Sequence, residues 1–406
     1  MREPCFFITG GNFANKGAQS MLFITVDEIR KKYPDAEIYF GTDEYLDLSE
    51  YKFDYVYYNY GIQKVFLYNS ICSRLNRLIR DIVKWILGRR DNIFRVRKSI
   101  EILSKVNVVI DISGYHLCYD GGYKISDQYL NHIRIAQKLK VPMFIMPQSM
   151  GPFNYKDYMS EKKANRLIRS IVELLDYPKV VYIREKQGQN DLMQIGFDKA
   201  VLSPDLVLQN KGIDLSNIYI NPPKLKTYAV EKNSVAILPN KNLHEKGDYR
   251  RLLEMYKDLL LYLKKLNKNV YIVKHTIEDD QMCRDIHKLI EYDRLFLIND
   301  DISSFEYSEL VKQFEFVICS RYHGCVHAFK QGVPCIAVGW AAKYNELFEM
   351  LGQERFVFDA VNESVDAEAV IEACKYLVAN IDEVKSVLTD SLVNVQTDNC
   401  YEHIEL

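Results

Sequence analysis

The feature that most constrains this chain is a repeated alternation of short, continuous apolar runs with longer amphipathic stretches. CFFITG (5–10), AEIYFG (36–41), VNVVIDISG (106–114), VPMFIMPQS (141–149), KVVYIRE (179–185) and AVLSPDLVL (200–208) read as strands. Stretches such as SDQYLNHIRIAQKLK, and a segment near 17–32, carry helical spacing between them. Strands that are apolar on both faces and alternate with helices belong in parallel sheets covered on both sides. The pattern breaks over 209–233, where Pro222-Pro223 sits among polar residues without a period. It then resumes with SVAILPN (234–240), a helix over 247–266, NVYIVKH (269–275), LFLIND (295–300), FEFVICS (314–320), PCIAVGW (334–340) and RFVFD (355–359). The prediction is an α/β chain of two Rossmann-like, doubly wound domains facing a cleft, 1–220 and 234–385. A linker at 221–233 joins them, and a C-terminal helix at 386–406 packs back on the first domain. Ligands in such sheets bind beyond the carboxyl ends of the strands, so the cleft is the expected site.

Composition narrows the function classes. The chain has 53 Lys and Arg against 55 Asp and Glu, a net charge of −2, which argues against nucleic acid held by bulk charge. No apolar run reaches the roughly 18 residues of a spanning helix. The nine cysteines are odd in number and form no CxxC pair, so reduced, buried thiols are expected rather than disulfides or a zinc site. The apolar stretch in MREPCFFITGGN is too short for a signal peptide, which points to the cytoplasm.

Chemistry-bearing residues gather at the predicted strand tips. In ITGGNFANKGAQSML (8–22), Gly10 and Gly11 end a strand and Asn15 leads into a helix. Such a turn suits an anion or a sugar hydroxyl at a helix N-terminus, or is simply a tight strand-to-helix turn. The glycines are not spaced as GxGxxG, so a dinucleotide site is poorly supported. In FEFVICSRYHGCVHAFKQGVPCIAVGW (314–340), Arg321, Tyr322 and His323 stand where a strand ends and a helix begins. An arginine there grips a carboxylate or phosphate, a histidine moves a proton near neutral pH, and the helix N-terminus adds positive charge. His327 makes an HxxxH with His323, but without the HExxH glutamate it reads as helix packing, and no metal is predicted. Arg184 ends another strand, and Asp205 either orients a basic group or caps a turn after Pro204. DISGYHLCYDGGY (111–123) and MPQSMGPFN (146–154) supply His116 and Gln148 on polar loops.

Taken in order, the glycine- and asparagine-rich first loop, DISGYHL, PQSMGPF, strand-IRE, SPDLVL and SRYHG…GVP…K resemble the polysaccharide pyruvyl transferases over nearly the whole chain. The most specific part is SRYHGCVHAFKQGVPCIAV with Lys343 beyond it, and PQSMGPF is next. Ala18 stands where many members carry an acidic residue, and DISGYHL is a loose version of the family's triple-glycine loop. The resemblance implies a glycosyltransferase-B-like fold and transfer of pyruvate from phosphoenolpyruvate to two hydroxyls of one sugar, as a cyclic ketal. Phosphoenolpyruvate is then a substrate, and no cofactor is implied. The donor would meet Arg184, Arg321, Tyr322, His323, Gly324 and Lys343, with His323, Arg321 and Arg184 catalytic and His323 the general acid. The acceptor would meet Gly11, Asn12, Asn15, His116, Gln148 and Asp205. It would be a surface-polysaccharide precursor on undecaprenyl diphosphate, with a 4,6-ketal on terminal galactose the first expectation and N-acetylmannosamine or glucose the alternatives. A nucleotide-sugar glycosyltransferase of the same architecture is the competing reading.

Residues 73–100 carry nine Lys or Arg against two Asp, beside an apolar stripe at helical spacing. Such a helix either packs its stripe on the sheet or lies on an anionic membrane face, which would place the protein at the inner face of the cytoplasmic membrane. The aromatic run YKFDYVYYNY (51–60) is either an insertion packed on the first domain or a sugar-stacking surface.

Overall fold

The computed structural model describes residues 3–68, 90–119, 122–246, 248–339, 342–360, 367–397 and 399–404. The chain builds two all-parallel sheets with helices on both faces. The first holds β1 (Cys5–Thr9), β2 (Glu37–Thr42), β3 (Asp54–Tyr57), β4 (Val108–Asp111), β5 (Met143–Gln148), β6 (Val180–Ile183) and β7 (Val201–Leu202). Their order is β3-β2-β1-β4-β5-β6-β7. The second holds β8 (Ser234–Leu238), β9 (Asn269–Val273), β10 (Leu295–Ile298), β11 (Phe316–Cys319), β12 (Cys335–Gly339) and β13 (Val357–Asp359), in the order β10-β9-β8-β11-β12-β13. This is the two-domain, Rossmann-like, doubly wound fold that the alternating pattern predicts.

The strands explain their own composition. Every residue of β1 is buried, with Phe6 and Ile8 packed into one core and Cys5 and Phe7 into the core on the opposite face. A strand covered on both faces has no polar side to offer, so it reads as an unbroken apolar run. The strand order reverses between β1 and β4 in one sheet and between β8 and β11 in the other. A crevice opens at such a reversal because the flanking connections leave on opposite faces. The Gly10-Gly11 turn follows β1 and the Arg321-Tyr322-His323 run follows β11, so both sit at reversal points.

Two local expectations change. AVLSPDLVL is a strand only over Val201–Leu202; Asp205 then caps the helix Leu206–Gln209 by accepting from the Val207 N–H. The aromatic run contains a strand the sequence reading missed, β3, while Tyr51 packs on Tyr219 with ring centroids 4.8 Å apart. Past the helix Ile381–Val395 the chain returns to the first domain, where Tyr401 bonds Thr25 at 2.6 Å. The cysteines among the described residues are free and buried. No helix there is long and apolar enough to cross a membrane. Positions 73–89 of the basic segment lie outside the described residues; its remainder belongs to the helix Arg90–Leu103.

Candidate active site

A cavity of about 550 Å³ lies between the domains, lined from both sides by the loops at the two reversal points. The first domain contributes Gly10, Asn12, Asn15, Ser113, His116 and Arg184. The second contributes Asn240, His275, Thr276, Arg321, Tyr322 and His323. Gly10 has φ +86°, and a Cβ there would run into the Ser113 backbone, so only glycine lets the β1 and β4 loops approach this closely.

Arg321 is the N-cap residue of the helix Tyr322–Lys330. Its Nε donates to Asp279 Oδ2 at 3.0 Å, its Nη2 to Asp279 Oδ1, and Nη2 also reaches Thr276 Oγ1 at 3.1 Å. Asp279 is fully buried and also accepts the Lys241 N–H at 3.0 Å. The fork is therefore locked from behind, leaving Nη1 without a hydrogen bond among the described residues, at the cavity wall. A pre-oriented guanidinium loses little freedom when it takes an anion.

His323 is held by the other domain. The helix Lys16–Lys32, capped by Asn15 accepting from the Gly17 and Ala18 N–H groups, presents Gly17 flat against the His323 ring. A Cβ at Gly17 would fall on that ring. His323 Nε2 lies 3.4 Å from Asp205 Oδ2, within ion-pair reach but without a well-aligned hydrogen bond. Asp205 also accepts from Arg184 Nη1 at 2.8 Å. Burial alone would raise the Asp205 pKa, but His323 and Arg184 hold it well below the usual carboxylate range. Arg184 is itself buried, with its Nε on Ser149 Oγ and Glu185 Oε1 at 2.9 and 3.0 Å and its plane 4.2 Å over the Tyr322 ring. Burial works against its charge, but Tyr322, Glu185 and Asp205 outweigh burial and raise its pKa.

The remaining predicted site residues fall in three places. Gly11 lines a second cavity of about 320 Å³, which shares Gly10, Asn12, Ser113 and His116 with the first. Asp205, Gln148 and Gly324 are off both cavity walls: Asp205 sits beneath His323 and Arg184, Gln148 donates to buried Asp111 at 2.9 Å, and Gly324 packs on Cys319. Asp205 thus orients a basic group and caps a helix at once, and neither it nor Gln148 is placed to touch a sugar. The Lys343 side chain lies outside the described residues.

The sequence reading missed His275, although it stands at the tip of a predicted strand. His275 is buried at the cavity wall with neither ring nitrogen hydrogen-bonded among the described residues. Burial, with Arg321, His327 and His323 nearby, keeps its pKa well below the ordinary histidine value. His327 does pack, as expected, and its Nε2 meets Ser20 of the first domain at 3.0 Å.

The sequence profile of the family described as polysaccharide pyruvyl transferase matches residues 15–341. The chain belongs to that family. It is accordingly a transferase. No curated protein shows significant similarity to it. Solved structures share its fold at low identity. The S. aureus MnaA–UDP co-structure has a TM-score of 0.58 and 11% identity, covering 98% of this chain and 94% of that one. The glycotransferase of kitacinnamycin has a TM-score of 0.52 and 10% identity, covering 100% and 99%. These likenesses establish the glycosyltransferase-B-like architecture for this pyruvyl transferase family member.

Proposed function

We propose that the interdomain cavity binds phosphoenolpyruvate and transfers its pyruvyl group to two hydroxyls of a saccharide, as a cyclic ketal. The observation that carries this reading is the convergence of Arg321, His323 and the N-terminus of the helix Tyr322–Lys330 on one cavity wall, in a chain of this family. The donor's carboxylate and phosphate need fixed positive charge, and the locked Arg321 fork with the helix terminus supplies it. His323, backed by Asp205, gives a proton to the donor methylene carbon, which makes the neighbouring carbon electrophilic. One hydroxyl adds there, phosphate leaves with the bonding electrons, and the second hydroxyl closes the ring. One hydroxyl proton replaces the one given to carbon and the other departs with phosphate, so the sum is phosphoenolpyruvate plus diol giving ketal plus hydrogen phosphate. Arg184 acts through Asp205 and Tyr322 and aligns the His323 side of the cavity.

The acceptor is a sugar of a surface-polysaccharide precursor, with terminal galactose the first choice and an undecaprenyl diphosphate carrier. The basic segment 73–100 supports a site of action at an anionic membrane surface. The test is phosphate release from phosphoenolpyruvate with a panel of β-galactosides and N-acetylmannosamine glycosides, followed by mass spectrometry of the product. No release with any acceptor overturns the reading. Product formed from UDP-sugars without phosphoenolpyruvate would favour a nucleotide-sugar glycosyltransferase, which the fold likeness alone supports.

A further inference from the structure

The second cavity is lined by a histidine paired with a buried carboxylate, neither of which the donor site uses. Asp111, the last residue of β4, is fully buried and receives five hydrogen bonds. Thr9 Oγ1 and Ser113 Oγ donate to its Oδ2 at 2.5 and 2.8 Å, and the Ser113 N–H and Gln148 Nε2 to its Oδ1 at 3.3 and 2.9 Å. The fifth partner is His132 Nδ1, 3.0 Å from Oδ2. Burial would raise this carboxyl's pKa, but His132, Thr9 and Gln148 together hold it below the ordinary range, so it is ionised.

That charge fixes the state of the histidine. An ionised carboxylate only accepts hydrogen bonds, so His132 Nδ1 must carry the proton, and in the neutral ring Nε2 then carries the lone pair. His132 lines the second cavity, together with Gly11, Thr42, Tyr58, His116 and Gln128. Its ring is set between Tyr58 and Tyr129, with centroids 5.6 and 5.7 Å away. The two cavities share Gly10, Asn12, Ser113 and His116, so they adjoin.

We propose that His132 and Asp111 form a base dyad that takes the proton from the attacking sugar hydroxyl bound in the second cavity. This rests on the pyruvyl-transfer reading above and divides its proton traffic between two histidines on opposite domains. His323 gives a proton to the donor methylene carbon. His132 Nε2 removes one from the acceptor hydroxyl as its oxygen bonds to the adjacent carbon. The bond between that carbon and the bridging oxygen of the phosphate then breaks with its electrons on phosphate, and the second hydroxyl's oxygen bonds to the carbon in its place. The second hydroxyl's proton leaves on that phosphate, and His132 passes its own proton to solvent, from which His323 is recharged. Asp111 stabilises the imidazolium that forms on His132 without itself being protonated.

The experiment measures acceptor-dependent phosphate release and, separately, phosphoenolpyruvate binding by calorimetry, for the full chain and two variants. His132→Gln is expected to lower turnover at saturating acceptor by at least about a hundredfold while donor affinity stays within about twofold of the parent. His132→Ala is expected to lose as much and to regain at least about tenfold with added imidazole, a rescue that a merely structural histidine would not show. Turnover of His132→Gln within about threefold of the parent, or no imidazole rescue in a His132→Ala protein that still binds donor, overturns the dyad and leaves the pyruvyl-transfer reading standing. Absence of phosphate release by the unmodified chain overturns both. Should the variants fail to bind donor, diethyl pyrocarbonate labelling of the unmodified chain decides. Protection of His132 by the galactoside but not by phosphoenolpyruvate is expected, and labelling indifferent to the galactoside overturns the dyad.

Discussion

Arg321 and His323 are neighbours in sequence, yet each draws its geometry from residues far along the chain. Asp279 and Thr276 lock Arg321, and Gly17 and Asp205 hold His323. Replacing either by alanine is expected to lower phosphate release by at least about a hundredfold, because acid–base and charge-stabilising groups contribute on that scale. A rate within tenfold in either variant would remove it from the catalytic set. Gly17→Ala tests the contact between domains. Alanine is the better helix former, so the lone effect of propensity is stabilising, and a loss of turnover without a loss in melting temperature would report displacement of the His323 ring. We expect at least about a tenfold drop, as misplacing a catalytic group by a fraction of an ångström costs that much or more. The candidate cations were legible in the sequence because arginine and histidine at a strand tip stand out. Their carboxylate partners were not, since Asp279 lies 42 residues from Arg321 and nothing local links them.

At the level of the element, strands and helices were legible wherever an apolar run was continuous and a polar turn bounded it. The run AVLSPDLVL misled because its apolar residues are buried on a helical turn as readily as on a strand. Pro204 has no N–H to donate, and the Asp205 side chain satisfies the Val207 N–H, so the chain turns into a helix there. The helix Arg90–Leu103 buries Ser99, Ile102 and Leu103 while leaving Phe94 71% exposed, so its amino-terminal half offers a face away from the core. For the basic segment as a whole, reversing the charges of Arg74, Arg77, Lys84, Arg89 and Arg90 is expected to abolish flotation with anionic liposomes, a fall of at least about a thousandfold in vesicle affinity, since each basic residue near such a surface adds about 1 kcal/mol. Equal binding by the reversed and parent chains would place the stripe in protein packing instead.

The whole molecule is tied together by contacts between its halves. Ser20 meets His327, the Ser304 N–H donates to Gln19 at 2.7 Å, and Glu346 accepts the Lys186 and Gln187 N–H groups at a helix N-terminus, at 2.5 and 2.7 Å. The C-terminal return adds a further tie. Cys400 N–H donates to Gln209 at 2.8 Å, Lys32 bonds the Tyr401 and Ile404 carbonyls at 2.7 and 2.9 Å, and Tyr401 and Ile404 are buried. Deleting residues 397–406 removes those two buried side chains and uncovers the surface they cover, a loss of about 1.5–3 kcal/mol for each, and is expected to lower the melting temperature by on the order of 10 °C. Stability should also fall with acid. Burial, helped by the charges of His323 and Lys330, pushes His327 down to about 3, so it stays neutral in the native state where the unfolded chain binds a proton. Below the ordinary histidine pKa of about 6.5 the unfolded state gains protons the native state does not, so stability declines as pH falls from there toward about 3. Thermal melts between pH 7 and 4 should show this slope, and His327→Gln should remove its share of it while leaving that of His275, which burial also keeps neutral.

The sequence by itself determined the two parallel sheets, because strands buried on both faces leave an unmistakable apolar run, and it determined the cationic loop after β11, because that loop's chemistry is contiguous. Which residues meet across the cleft depends on how the two sheets are ordered and packed. Asp205 passes from sugar contact to support for His323, His275 joins the cavity wall, and Asp111 and His132 become a pair across two elements. Secondary structure follows from periodicity over a few residues, whereas a site is set by strand order, and strand order places residues from distant parts of the chain on one wall.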